Sequence, residues 1–218
     1  MRQKLRRFAE NQSRENIIQP GKPIFDEIKG NWRSKVFRNE NPVAIELACG
    51  DGEYSVGLAG EDPNTNYIGV DIKGDRLYKG STMALENNLS NVAFLRAQIH
   101  NLDRYFAEDE VNEIWLTFPD PRPKDRDQKR RLTHPRFMNL YRQIAVSNSW
   151  FKFKTDNTPL FDYTLGLLKS APYVSKLEYT HNLYQSELNK EHKGIQTKYE
   201  KIWSAKGEQI KYLKFQFL

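Results

Sequence analysis

From Pro42 onward the chain alternates short apolar runs with amphipathic stretches, and no other feature constrains its fold as strongly. The runs are PVAIEL (42–47), YIGVD (67–71), VAFLRA (92–97), EIWLTF (113–118) and WFKFKTD (150–156). Each is bounded by turn formers and has the length of a strand, and a segment long enough for a crossover helix follows it. Strands joined by helices run parallel, and a parallel sheet is covered on both faces. Helices are expected over Glu53–Ala59, Asp75–Asn87, a short piece near Leu102–Phe106, His134–Val146 and Thr158–Ser170. In the second, Leu77, Met83 and Leu85 form an imperfect apolar stripe and Asp75 suits a helix start. YVSKLEYT (173–180) and IKYLKFQFL (210–218) raise the strand count to seven. Between them lie the polar stretch Leu183–Gly194, which no periodicity orders, and a helix around Lys198–Ala205.

This rhythm makes 42–218 one domain, preceded at 1–41 by a basic arm and a lead-in helical segment. In the arm, Arg2, Lys4, Arg6 and Arg7 read either as an unordered terminus or as an RNA contact. Pro20, Gly21 and Pro23 break the lead-in before a short helix near Phe25–Lys29. At 218 residues and 38% apolar content the chain can build a real core, in which Trp115 and Trp150 are expected. The lone Cys49 excludes an internal disulfide and reads as a small packed residue. His100, His134, His181 and His192 lack metal-ligand spacing, so no metal is expected and they read as surface or capping residues. No run approaches the roughly 18 apolar residues of a membrane span, and the first residues lack the apolar centre of a secretory signal. A cytoplasmic protein is the expectation.

In IELACGDGEYSV the strand ends at Glu46 and Leu47, and Gly50 and Gly52 turn the chain into the next helix. Glycines here let a ligand approach the carboxyl edge of the sheet. Asp71 closes the next strand, where an acid accepts bonds from ribose hydroxyls. Together they suggest an adenosine-containing cofactor. Asp51, Glu53 and Glu46 would repel a pyrophosphate but attract a sulfonium and an ammonium group, which favours S-adenosylmethionine over a dinucleotide.

The fourth apolar run ends in FPDPRPKDRDQKRRL (118–132). One carboxylate, Asp120, stands between two prolines, and six cations follow: Arg122, Lys124, Arg126, Lys129, Arg130 and Arg131. With a net charge of +6 over the chain, a cationic loop at a strand end suits a polyanion's phosphates.

Taken in order, ELACGDG, YIGVDIKGDRL, NVAFLRAQ, FPDPRPKDRDQKRRL, FKTDN, TKYE and KGEQIKYL resemble the bacterial tRNA (guanine-N7)-methyltransferases from about Pro42 to the C-terminus. The chain departs from that family's usual pattern at Ala48 (Gly), Asp71 (Glu), Gln98 (Asp), Arg122 (Trp) and Asp127 (His). The resemblance implies an α/β, Rossmann-like class I methyltransferase fold: a seven-stranded, mostly parallel sheet with helices on both faces and an antiparallel last strand. It implies transfer of a methyl group from S-adenosylmethionine to N7 of a tRNA guanine, expected in the variable loop, by a monomer or homodimer. It also implies cofactor contacts from Glu46, Asp71, Gln98 and Asp120, with Asp120 the catalytic position. Substrate contacts are implied at Lys124, Asp156 and Thr197, Lys198, Tyr199 and Glu200, to which the loop adds Arg130 and Arg131 as phosphate holders. Guanine N7 has a free lone pair, so Asp120 is expected to orient rather than to abstract a proton. Asp156 and Glu200 match the donors at N1 and N2, and Lys124 or Thr197 matches O6. RNA would also order Leu183–Gly194. Two rivals are a methyltransferase acting on an exocyclic amine and a non-catalytic RNA-binding protein of the same fold; Arg122 stands where the first would place an aromatic residue.

Overall fold

A computed structural model describes residues 3–218. Its centre is an eight-stranded sheet: β1 (Ile17–Ile18), β2 (Val43–Leu47), β3 (Asn66–Asp71), β4 (Val92–Arg96), β5 (Val111–Thr117), β6 (Ala145–Thr155), β7 (Val174–Thr180) and β8 (Lys211–Phe217). The order across the sheet is β1-β4-β3-β2-β5-β6-β8-β7. The first six strands in that order run parallel, and β8 is antiparallel to both β6 and β7. Seven strands overlap the runs the sequence offers, although β6 begins at Ala145, inside the helix expected over His134–Val146. The eighth, β1, is two residues long and pairs Ile17 with Phe94 and Ile18 with Leu95, and a pair of isoleucines without alternation gives no strand signal.

The sheet is buried on both faces, as parallel strands with helical crossovers require. Ile45, Leu47, Ile114, Leu116, Phe151, Phe153, Leu213 and Phe215 pack on one face. Ala44, Trp115 and Tyr212 lie in the cluster on the other, the face shared by Glu46 and Lys154 through the alternation of their strands. The helices are α1 (Gln3–Ser13), α2 (Pro23–Glu27), α3 (Glu53–Glu61), α4 (Gly74–Glu86), α5 (Pro135–Ile144), α6 (Thr158–Lys169) and α7 (Lys198–Ala205). Three begin on side-chain caps: the His134 ring accepts from Arg136 N, Asn157 from Leu160 N and Thr197 from Glu200 N. Each cap satisfies an orphan amide and is worth about 1 kcal/mol.

Five expectations are corrected. The basic arm is a helix rather than an unordered terminus: Asn11 is buried and its amide donates to Gly74 O at 2.8 Å. Just beyond it, the Arg14 guanidinium lies 3.9 Å from the Tyr78 ring centroid. Arg2 lies outside the described residues. In α4, Leu77 is buried but Leu85 is 56% exposed; Gly80, Ser81 and Ala84 make the contact face instead. The stretch 183–194 is ordered as two 3-10 turns, with Leu183 wholly buried. His192 is buried rather than superficial, its ring bonded to Asn189 Oδ1 at 2.8 Å and Ile195 O at 3.2 Å. Trp115 is fully buried, Trp150 only partly, with Lys214 Nζ 4.8 Å from its ring centroid.

Candidate active site

The carboxyl ends of β2, β3, β5 and β6 carry the candidate residues, where the chain leaves the sheet before each crossover. After β2 the backbone turns through Ala48, Gly50 and Gly52, all with positive φ (57°, 56° and 76°). Only glycine fits at 52, because a Cβ there would stand 2.6 Å from the Phe94 ring. The turn is held from the neighbouring strand: Asp71 accepts from Gly50 N at 3.1 Å through one oxygen and from Lys73 N at 2.8 Å through the other. Each bond uses one lone pair, so Asp71 keeps acceptor capacity toward the mouth of the turn. Gln98, just past β4, is exposed.

Glu46 faces the inside of this turn and is 3% exposed. It accepts from Ser55 N at 2.9 Å and from Thr117 Oγ1 at 2.6 Å. Burial pushes its carboxyl up to about 7; the Ser55 and Thr117 bonds oppose that shift, and the Asp71 charge adds to it. Cys49 is packed under the turn, and burial raises its thiol well above the usual range. Glycines that open the turn, with Asp71 and Glu46 at its rim and floor, suit a ligand carrying hydroxyls and positive charge.

Beyond β5, Phe118 and Arg122 also take positive φ (47° and 48°), bending the loop back over the sheet edge. Asp120 projects between them with its side chain 61% exposed, and it pairs with Arg122, Nε to Oδ2 at 3.1 Å. The cations divide by role. Arg131 donates to Arg122 O at 3.2 Å and lies 4.5 Å from the Tyr163 ring centroid, so it holds the loop's shape. Arg130 pairs with Asp127 at 3.2 Å but stays mostly exposed. Lys124, Arg126 and Lys129 are exposed and form no ion pair among the described residues.

The Thr197–Glu200 segment returns to this edge from far along the chain. Lys198 N donates to Glu53 Oε2 at 2.7 Å, which ties the start of α7 to the start of α3. The Tyr199 ring lies 5.5 Å from Phe118, centroid to centroid, and its hydroxyl reaches Asp156 Oδ2 at 3.4 Å. Thus the β5 loop, the end of β6 and the start of α7 meet around Phe118. Glu200 is placed otherwise than expected. It is fully buried, its carboxylate is taken by Lys154 Nζ at 2.7 Å and by the Tyr184 hydroxyl, and it presents no oxygen to a base. Asp156 is left as the surface carboxylate on this side. Sequence reasoning passed over Phe118 and Lys154. The signal for Lys154 was there: a lysine in the interior of a strand whose both faces must be covered.

Comparison with known proteins points to a methyltransferase. A family model described as "Putative methyltransferase" matches residues 40–213. The tRNA (guanine-N(7)-)-methyltransferase of Cytophaga hutchinsonii is 48% identical over 218 residues, covering 100% of this chain and 98% of its own. Among solved structures, the 16S rRNA methyltransferase KamB superposes with a TM-score of 0.62 at 13% identity, over 84% of this chain and 91% of that one. The 16S rRNA (adenine(1408)-N(1))-methyltransferase of Catenulisporales acidiphilia, solved with cosubstrate SAM, gives 0.57 at 12% identity, over 86% and 89%. At such identities the two structures speak for the fold alone.

Proposed function

The chain belongs to the tRNA (guanine-N(7)-)-methyltransferase family, and from that premise we propose that it methylates N7 of a guanine in the tRNA variable loop, with Asp120 at the reacting centre. S-adenosylmethionine, when bound, supplies a methyl group made electrophilic by its sulfonium. Guanine N7 already carries a free lone pair, so what the protein must provide is alignment of the two partners. Asp71 accepts the ribose hydroxyls, the open turn at Gly50 and Gly52 admits the donor, and Gln98 meets the adenine edge. Glu46 sits beneath as a counter-charge. Asp120, set between two prolines and free to the solvent on one side, orients the donor and faces its positive charge.

On the substrate side Asp156 accepts from the N1 and N2 donors of guanine. The Thr197 hydroxyl already accepts from Glu200 N at 3.1 Å, so its own proton is free to be donated to O6. Tyr199 offers an aromatic face to the base, and Lys198 stands beside it. Lys124, Arg126, Lys129 and Arg130 hold phosphates, while Arg131 shapes their loop. All these groups come from one chain, so a monomer suffices and a homodimer would hold two independent sites. Among the described residues no helix is long and apolar enough to cross a membrane, and the cytoplasm, where tRNA matures, is the proposed compartment.

The observation that carries this reading is the meeting of Phe118, Asp156 and Tyr199 beside the Asp120 loop. Nucleoside mass spectrometry of unmodified tRNA incubated with protein and S-adenosylmethionine should find 7-methylguanosine. An exocyclic N-methyl product, or none, would overturn it.

A further inference from the structure

Lys154 and Glu200 are both wholly buried, an arrangement that is often no more stable than an apolar pair of similar volume. Lys154 lies on β6, between β5 and β8, and its side chain rises on the face covered by α3 and α7. Its ammonium donates to both Glu200 oxygens, at 2.7 and 3.0 Å, and to Ile195 O at 3.3 Å. It also lies 5.2 Å from the Tyr54 ring centroid and 6.0 Å from that of Phe118. Through its backbone the same residue accepts from Phe118 N at 2.8 Å, where the Asp120 loop departs. One lysine therefore touches the loop that carries Asp120, the helix that follows the cofactor turn, and both ends of the 195–200 segment.

The charge is needed for the geometry. The Ile195 carbonyl lies in the irregular lead-in to α7 and the Glu200 carboxylate in its first turn, and a single ammonium satisfies both at once. Glu200 in turn accepts from Tyr184, whose hydroxyl also accepts from Gln196 at 2.9 Å, so the network closes around Thr197 and Tyr199 from beneath. Building on the proposed guanine-N7 activity, we propose that Lys154 is a positioning residue: through Glu200 and Ile195 it fixes the Thr197–Tyr199 edge against the Asp120 loop, and so sets the target base relative to the methyl donor. Glu200 serves the reaction through this tie, not by contact with the base.

The test is a cycle of Lys154→Met, Glu200→Met and the double variant. Each single change strands a buried charge and should lower the melting temperature. The double variant exchanges the ion pair for an apolar pair of similar volume and should recover that loss. Activity should not follow. We expect kcat/KM for tRNA to fall about 100-fold in all three, the scale of an ångström-size misplacement, with the effects non-additive and S-adenosylmethionine affinity by calorimetry within about threefold of wild type. Return of kcat/KM along with stability in the double variant would show that the pair serves folding alone and would overturn the proposal. So would singles within threefold of wild type, or strictly additive losses. Should a single variant fail to fold, the double variant alone decides. Failure of the underlying reading shows separately, as a wild-type enzyme that binds the donor but leaves guanine N7 unmethylated.

Discussion

Asp120 owes its role to what surrounds it: prolines on either side, Arg122 as its only ion-pair partner among the described residues, and open solvent beyond. If it orients the donor and opposes its charge, Asp120→Asn keeps the shape and loses the field. Turnover should then fall about 100-fold at every pH. The measurement is a pH–rate profile of both enzymes, and a wild-type limb that follows ionisation of guanine N1 would contradict the assignment. Glu46 makes a different prediction. Its carboxyl ionises near 4.5 in the unfolded chain and near 7 in the folded one, so between those values the native state holds the extra proton. Stability is therefore fully present at low pH and declines as pH rises through that window, by about 3 kcal/mol at most. Urea unfolding at about pH 5 and about pH 8 should show the decline, and Glu46→Gln should flatten it.

The turns at the sheet edge accept backbone strain to bring side chains together. Ala48 holds φ at 57° with a Cβ present, a conformation that costs an L-residue about 1 kcal/mol. Replacing it by glycine removes that cost and adds some unfolded-state entropy, so Ala48→Gly should stabilise by about 0.5 kcal/mol. A raised urea midpoint with unchanged slope would bear this out; a lowered midpoint would mean that the methyl group packs usefully. Gly52 is the opposite case, since the Phe94 ring occupies the space a side chain would need.

Over the whole molecule the +6 charge matters through its distribution. Lys124, Arg126 and Lys129 form no ion pair among the described residues, while Arg131 holds the shape of their loop. Changing those three to alanine should weaken tRNA binding at low salt and reduce the slope of log K against log salt by about 2 to 3. Donor affinity should stay put. An unchanged slope would assign the phosphate contacts elsewhere.

The strand rhythm, the glycine turn, Asp71 and the proline-flanked Asp120 were legible in the sequence because each follows from a local rule: period, steric need or the chemistry of a strand end. Those rules extended to the antiparallel position of β8 only through family resemblance. What they could not reach depends on residues far apart in the chain. A sheet covered on both faces must bury a lysine of WFKFKT, yet nothing local says which group neutralises Lys154. Glu200 matches a base-reading carboxylate in type, yet folding delivers it to that lysine 46 positions away. A buried charge needs a partner, and only the tertiary structure decides which one it finds. The same holds for α1, whose composition suits a loose basic tail until Asn11 and Arg14 meet α4. Local sequence set the elements and their chemistry; the closing of the chain set which groups face the site and which lie beneath it.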